Sequence, residues 1–183
     1  MSQIQFDRLA HQIRLTGIAG EILAGPFDAY NNVDSHSKGI WPDGTYSYVG
    51  HNAHPALADP DSEYGVYGIL IFNAPDRIGM GVHSGRRSIP DGLGRTGPAH
   101  CTLGCIRTTD EAMAALLQVS AEDGIQNISV GVAFTVEEAQ VATALPSAPG
   151  IKRAAKSRAK VGRRQVAPKK KKRSKKKRSR GRR

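Results

Sequence analysis

The sequence contains little cysteine, few aromatic residues and no long apolar run. Its 183 residues include 2 Cys, and 5% are aromatic. Two cysteines four positions apart do not form the disulfide framework on which small secreted domains depend. No apolar stretch is long enough to span a bilayer, and we expect no Sec signal peptide because a basic segment followed by an apolar one is lacking. The length predicts one domain of ordinary size.

The charges are divided sharply along the chain. Residues 151–183 hold 19 of the 27 Lys and Arg residues and no Asp or Glu. Residues 1–150 hold 8 basic and 16 acidic residues, which is a net charge of −8. The formal charge of +11 therefore describes an acidic domain followed by a basic tail.

Residues 151–183 have no core-forming pattern, and we predict that this tail is disordered because it cannot bury enough apolar surface to offset the entropy of ordering. No aromatic side chains stand among its charges, so it offers no stacking platform for bases. We expect it to bind polyanions through counterion release, and nucleic acid, anionic lipid and anionic wall polymers all fit. A solvated tail without a partner is the alternative.

Alternating apolar and polar residues predict a mainly β domain over residues 1–145. The predicted strands are 4–6, 12–15, 21–23, 27–30, 67–73, 78–83 and 125–134, with a further strand after a Pro-Asp-Gly turn within 41–46. Helices are predicted at about 110–119, with Thr108 or Thr109 as the N-cap, and at 136–145. Residues 51–64 form a long polar loop, and the prolines and glycine of 146–150 end the domain.

The stretch 81–116 carries the residues best suited to chemistry. His83 ends a predicted strand, and we expect Cys105 at the mouth of the helix that follows. A thiolate is a nucleophile, and a helix N-terminus or a nearby His lowers the pKa of a thiol. In this interpretation His83 is the base and Ser84 helps to fix its ring. The alternative is that Cys105 is a small buried hydrophobic residue and His83 a polar strand end.

Two neighbours of Cys105 fit the same chemistry. Gly104 lets the backbone approach a substrate closely and would leave two successive N–H groups free to face an oxyanion. Arg107 is a fork-shaped donor that suits a carboxylate.

The histidines and cysteines of this sequence could also bind a metal ion. His51 and His54, together with His83, His100 and the two cysteines, are zinc-ligand types. Their spacings match no common zinc motif, and adjacent His100 and Cys101 close a tetrahedral site awkwardly. We therefore predict no metal site and regard His51 and His54 as surface residues of a loop.

Val82-His83-Ser84, a loop, and then Thr102-Leu103-Gly104-Cys105-Ile106-Arg107 resemble the signature of the L,D-transpeptidases, the YkuD-like cysteine enzymes of peptidoglycan. Residues 41–46 resemble the Thr-Pro-x-Gly-x-Phe/Tyr element of the same domain, with Trp41 in place of Thr. The resemblance covers about residues 4–134, and its specific part is the stretch 83–107. It implies a YkuD-like β-sandwich or meander with one or two short helices.

By this resemblance, Cys105 is the nucleophile and His83 its base. Gly104 belongs to the oxyanion hole, the residue after the base supplies a carbonyl that orients the imidazole, and Thr102 takes the Ser/Thr place. Arg107 and His100 are assigned to substrate binding. The second His of the family pattern is Leu103 here, and the loop is slightly longer; His100 is a candidate to replace that His.

The resemblance implies acyl transfer on peptidoglycan stem peptides, without a metal or organic cofactor. Cys105 would attack the carbonyl that precedes a D-amino acid, and an amine or water would release the acyl-enzyme. A hydrolytic or toxin-like relative is one alternative, and a polyanion-binding protein on an inactive scaffold is the other. We expect a monomer that acts on the bacterial wall if a route other than Sec delivers it.

Overall fold

The computed structural model describes residues 1–54 and 58–134. This part of the chain contains eight strands and one α-helix, which confirms the predicted mainly β class. The predicted helix 136–145, the domain end at 146–150 and the basic tail lie outside the described residues. The strands are β1 (Ser2–Asp7), β2 (Gln12–Gly17), β3 (Ile22–Tyr30), β4 (Gly44–Asn52), β5 (Ile69–Phe72), β6 (Gly81–His83), β7 (Ile106–Thr108) and β8 (Ile125–Val130), and the helix is α1 (Asp110–Asp123).

The strands close into one barrel in the order β1-β2-β3-β7-β6-β5-β4-β8. Neighbours are antiparallel except at two places, where β1 lies parallel to β8 and β6 lies parallel to β7. In the second parallel pair, His83 stands opposite Arg107. The chain between these strands, residues 84–105, crosses from one to the other and carries most of the predicted site residues.

The inward face of the barrel explains the alternation in the sequence. Ile4, Phe6, Ile13 and Leu15 of β1 and β2 are fully buried, and Trp41 joins them in the core. Burying each such side chain contributes about 1.5–3 kcal/mol. Because side chains alternate across a strand, the polar residues between them face outward.

Helix α1 begins where its sequence predicts. The Thr109 side chain caps it by accepting a hydrogen bond from the Ala112 N–H at 3.1 Å, and Asp110 and Glu111 occupy the first turn, where carboxylates suit the positive end of the helix. The helix buries Met113 and Leu116 and continues to Asp123, four residues past the predicted end. It packs against β3 and β1.

The sequence pattern predicts two separate strands, 21–23 and 27–30, where the structure has the single strand β3. Gly25 and Pro26 do not end the strand; they sit in a bulge where the register between β2 and β3 shifts. Gly25 has φ +96°, and a side chain there would meet the Ile13 carbonyl at 2.9 Å. Glycine is needed at this close approach, and pairing resumes on its far side.

Within residues 1–54 and 58–134, no helix has both the length and the apolar character that crossing a membrane requires.

Candidate active site

A cleft of about 400 Å³ opens beside the end of β6 and the start of β7. It brings together five of the predicted site residues: His83, His100, Thr102, Cys105 and Arg107. Gly104 lies between two lining residues in the sequence, and Ser84 lines a second cavity together with Gly85 and Asp110. The remaining wall is formed by Asp34, Glu63, Tyr64, Ile78, Gly79, Met80, Arg86, Cys101 and Leu103.

Cys105 is half-buried, and its Sγ lies 3.8 Å from the carbonyl oxygen of Gly79. No hydrogen bond joins this thiol to His83 within the described chain. Burial raises the pKa of the Cys105 thiol, while the backbone of Gly81 and the charge of Arg107 oppose the rise only in part. The resting side chain is therefore a neutral thiol.

The expected position of Cys105 at the helix mouth is wrong. Strand β7 separates it from the N-cap residue Thr109. At about 3.3 Å per strand residue, the helix begins roughly 13 Å further along the chain. The helix dipole acts within its first turn, so α1 does not lower the pKa of this thiol.

His83 is only 2% exposed, and its ring is held in one orientation. Its Nδ1 lies 2.8 Å from the carbonyl oxygen of Ser84. Since a carbonyl only accepts, Nδ1 carries the proton and Nε2 keeps its lone pair. The Tyr64 ring meets the imidazole edge-on with centroids 5.1 Å apart, and His54 stacks on the outer side of Tyr64 at 4.6 Å. His54, expected to be a surface residue, thus supports the ring that covers His83.

Burial and the neighbouring Arg107 lower the pKa of His83 to about 3, and the carbonyls of Ser84 and Glu63 offset this only partly. The imidazole is therefore neutral near pH 7, which is the form a general base needs.

Arg107 is also 2% exposed, and backbone carbonyls hold its guanidinium. Its Nη1 donates to Ser84 at 2.8 Å and to Glu63 at 3.0 Å. Burial and the charge of Arg86 lower the pKa of Arg107 to about 10, so it remains a cation. Its Nε is buried without a hydrogen-bond partner among the described residues. The geometry gives Arg107 a positioning role toward Ser84, and its contact with substrate stays a prediction.

The backbone N–H groups beside the thiol differ from the expected pair of free donors. The Gly104 N–H donates to the Thr102 hydroxyl at 3.1 Å, and this hydroxyl donates to the Cys105 carbonyl at 2.7 Å. No described residue accepts a hydrogen bond from the Cys105 N–H, which leaves it available to an oxyanion. Gly104 has φ +136°, and a side chain there would meet the Met80 sulfur at 3.2 Å. Gly104 is therefore needed for the backbone conformation of the loop, and the N–H of Cys105 is the donor available to an oxyanion.

Two polar residues that the sequence analysis missed fix this loop. Asn31 is 7% exposed and donates from Nδ2 to the carbonyls of Gly104 at 2.7 Å and Cys105 at 2.9 Å. Asp110 accepts a hydrogen bond from the Ser84 hydroxyl at 2.5 Å, and both residues line the second cavity. Asn31 belongs to an Asn-Asn pair, which is typical of a turn, and Asp110 lies at the start of a helix. Because both patterns indicate only local structural roles, the sequence did not assign either residue to the site.

One group of side chains has the composition of a metal site. Within the described residues, ligand atoms of Asp91, His100 and Cys101 lie within 4.8 Å of one another. The Asp91 carboxylate already accepts four hydrogen bonds, two of them from Arg95. This saturated carboxylate with a cation beside it organises its loop, and our prediction of no metal site stays a prediction.

Comparisons with known proteins find structural neighbours only. No protein-family model matches the chain, and no curated protein does. Solved L,D-transpeptidases from Mycobacterium tuberculosis (13% identity, 70% of this chain and 60% of that one, TM-score 0.43) and Mycobacterium smegmatis (18%, 72% and 58%, 0.43) are similar in structure. A Bdellovibrio bacteriovorus protein matches over 78% of this chain and 52% of its own length, at 15% identity and TM-score 0.47. The chain thus spans 52–60% of the length of these three structures.

Proposed function

We propose that this protein is a cysteine acyltransferase of the L,D-transpeptidase type, acting on peptidoglycan stem peptides. The observation that carries the proposal is the shared cleft of Cys105 and His83, in which the imidazole Nδ1 is held at 2.8 Å by the Ser84 carbonyl. This leaves a neutral nitrogen as the base and a half-buried thiol as the nucleophile. The sequence motif around both residues supplies the substrate class.

The reaction follows from these positions. As the sulfur attacks the peptide carbonyl that precedes a D-amino acid, the thiol proton passes to Nε2 of His83. The Cys105 N–H stabilises the oxyanion of the tetrahedral intermediate. The C–N bond then breaks, the nitrogen takes a proton, and the D-amino acid leaves as a free amine. An amine of a second stem then attacks the thioester, forms a new amide and returns the thiol.

The cleft lining combines charged and apolar residues. The lining includes the charged residues Glu63, Arg86 and Arg107, and also the apolar residues Ile78 and Leu103, of which Leu103 is 63% exposed. Leu103 stands where the family pattern has a second His, so this position offers apolar contact and no proton. A peptide with an apolar segment beside its scissile bond fits this arrangement.

Mass spectrometry of a purified stem tetrapeptide incubated with the protein tests the proposal. A cross-linked dimer, or exchange with an added D-amino acid, supports acyl transfer. A tripeptide with release of the terminal D-amino acid in the presence of acceptor amines assigns hydrolysis instead. The matched controls are Cys105→Ala, which we expect to be inactive, and Cys101→Ser, which we expect to be active. A wild-type protein that yields none of these products contradicts the proposal.

We further propose that residues 151–183 hold the protein on a polyanion. Their 19 Lys and Arg residues without any acid support this partner class, because each neutralised phosphate releases a condensed counterion. On an anionic cell wall, such binding would raise the local concentration of the catalytic domain.

A further inference from the structure

The cleft contains two imidazoles with the same backbone anchor. Nδ1 of His83 lies 2.8 Å from the carbonyl of the next residue, Ser84, and Nδ1 of His100 lies 2.8 Å from the carbonyl of the next residue, Cys101. In both rings the anchored nitrogen must donate, so Nε2 is the nitrogen left for chemistry. Both side chains line the cavity that contains the Cys105 thiol.

The surroundings of the two rings differ in burial and in charge. His83 is 2% exposed, covered by Tyr64 and close to the Arg107 cation. His100 is half-buried, and a carboxylate oxygen of Asp91 lies within 4.8 Å of its ring nitrogen. Asp34 lines the same cleft.

The remaining charged groups do not reverse this contrast. Among the described residues, Arg95 is the one cation paired with Asp91, at 2.8 Å, while Arg86 and Glu63 are of opposite sign and both line the cleft. A charge on His83 would thus be buried beside the Arg107 cation, whereas His100 is half-buried and has the Asp91 carboxylate as its neighbour. Where two titratable groups share one site but differ in burial and in neighbouring charge, their acid and base roles are assigned from those surroundings.

We propose that His100 is the general acid of the cleft, which protonates the nitrogen that leaves when the Cys105 thioester forms. The inference rests on the proposed acyltransferase function and divides the proton transfers between two residues. The thiol proton goes to Nε2 of His83, and the electron pair of the breaking C–N bond takes a proton from Nε2 of His100. The step ends with a thioester, a free amine, a protonated His83 and a neutral His100. Water then carries the proton from His83 back to His100.

The test uses donors that share one acyl group and differ in leaving group: the stem amide, an alkyl ester, and an aryl ester whose phenolate leaves without a proton. The variant is His100→Asn, whose side-chain N–H can replace the Nδ1 donor to Cys101 but supplies no acid. We expect acylation of Cys105 by the amide and alkyl ester to fall by about 10²–10⁴-fold, and acylation by the aryl ester to change little. His51→Asn, at an exposed position of β4, is the matched control and should behave as wild type.

Equal losses with all three donors would assign His100 to the structure of the loop and overturn the inference, as would no loss with any donor. The pH profile is a second measurement: the wild-type rate with the alkyl ester should decline as the acid loses its proton, and this limb should be missing in His100→Asn. If the wild type is acylated by both esters but leaves the stem amide intact, the stem substrate is wrong. The two esters then still decide the role of His100. A greater difference between the acylation rates of the alkyl and aryl esters in His100→Asn than in wild type supports His100 as the general acid, and an equal difference overturns the inference.

Discussion

Arg107 donates a hydrogen bond of 2.8 Å to the carbonyl oxygen of Ser84, and this same oxygen holds Nδ1 of His83. The guanidinium and the imidazole are therefore coupled through one backbone atom. Arg107 also reaches the carbonyl of Glu63, which precedes the Tyr64 ring over His83. Orientation of the base depends on a side chain that need not contact substrate.

Arg107→Lys should lower turnover and stability together. Both hydrogen bonds come from the same Nη1, and a lysine ammonium on a flexible stem does not reproduce the geometry of the planar guanidinium, so the partly buried Glu63 contact is lost. We expect a loss of about 1–3 kcal/mol in the free energy of unfolding, measured in urea. Arg8→Lys is the matched control, because the Arg8 guanidinium also donates to a backbone carbonyl, that of Trp41, and Arg8 does not line the cleft. Equal turnover in wild type and Arg107→Lys would remove Arg107 from the positioning of the base.

Asn31→Asp should loosen the loop that carries the thiol. The substitution replaces the donor to Gly104 and Cys105 with an oxygen that faces two carbonyls. An unfolding free energy lower by about 1–3 kcal/mol is expected, with slower acylation of Cys105. In Asn52→Asp the side-chain oxygen still accepts the His54 N–H at an exposed site, and this control should be close to wild type. Similar values for both variants would show that the Asn31 contacts do not hold the loop.

The alkylation rate of Cys105 should rise with pH through and beyond the ordinary thiol range near 8.5. The reason is that burial raises the pKa of this thiol, and Arg107 offsets the rise only partly. Iodoacetamide labelling followed by peptide mass spectrometry measures the rate at each cysteine, and Cys101→Ser isolates the rate at Cys105. A plateau of fast labelling that extends below pH 6 would instead indicate a preformed thiolate–imidazolium pair.

His83 should make the fold sensitive to acid. Its pKa is lowered to about 3 in the folded protein, whereas an unfolded His titrates near 6.5. As the pH falls from 6.5 toward 3, His83 binds a proton in the unfolded state but not in the folded state. The free energy of unfolding therefore decreases across this window. Urea unfolding of His83→Gln should show a shallower decline than wild type over the same range. The exposed His36→Gln should keep the wild-type slope, and parallel slopes for wild type and His83→Gln would contradict the burial argument.

A chain that ends at Leu145 should separate binding from chemistry. Removal of the basic tail leaves residues with a net charge of −8, so heparin or DNA binding should be lost while turnover of a soluble tetrapeptide is kept. Binding by the full chain should weaken steeply as salt rises, which affinity chromatography at several salt concentrations measures. A shortened chain that stays on heparin at moderate salt, or that folds but cannot process the tetrapeptide, would contradict this division.

The strands and the helix could largely be predicted because their signals are local. Thr109, Asp110 and Glu111 mark the start of α1, and the alternation in β1 and β2 reflects the one face of these strands that joins the apolar core. Strand β7 could not be predicted, since three residues carry no periodicity and adopt their conformation by pairing with β6 and β3. Missing it produced the wrong position of Cys105 relative to the helix.

The candidate site divides in the same way. Motif spacing predicted which side chains line the cleft. Their protonation and hydrogen bonding depend on contacts between parts of the chain that are distant in sequence. The contacts of Asn31 with Gly104 and Cys105 span more than 70 residues of chain. The pKa of His83 is low because this residue is buried beside Arg107. The Gly104 N–H is not free because it donates a hydrogen bond to the hydroxyl of Thr102. Such contacts leave no pattern in one sequence.

The parallel pairing of β6 and β7 allows two parts of the site to change independently. His83 and Arg107 face each other across this pair, so their alignment is set by barrel hydrogen bonds. The wall with His100, Cys101 and Leu103 belongs to the crossover between the strands. A crossover can be lengthened or exchanged while its two ends stay fixed, because loop-closure entropy grows slowly with length. Replacement of residues 86–99, which leaves His100 in place, should therefore change this part of the cleft while His83 and Arg107 keep their alignment.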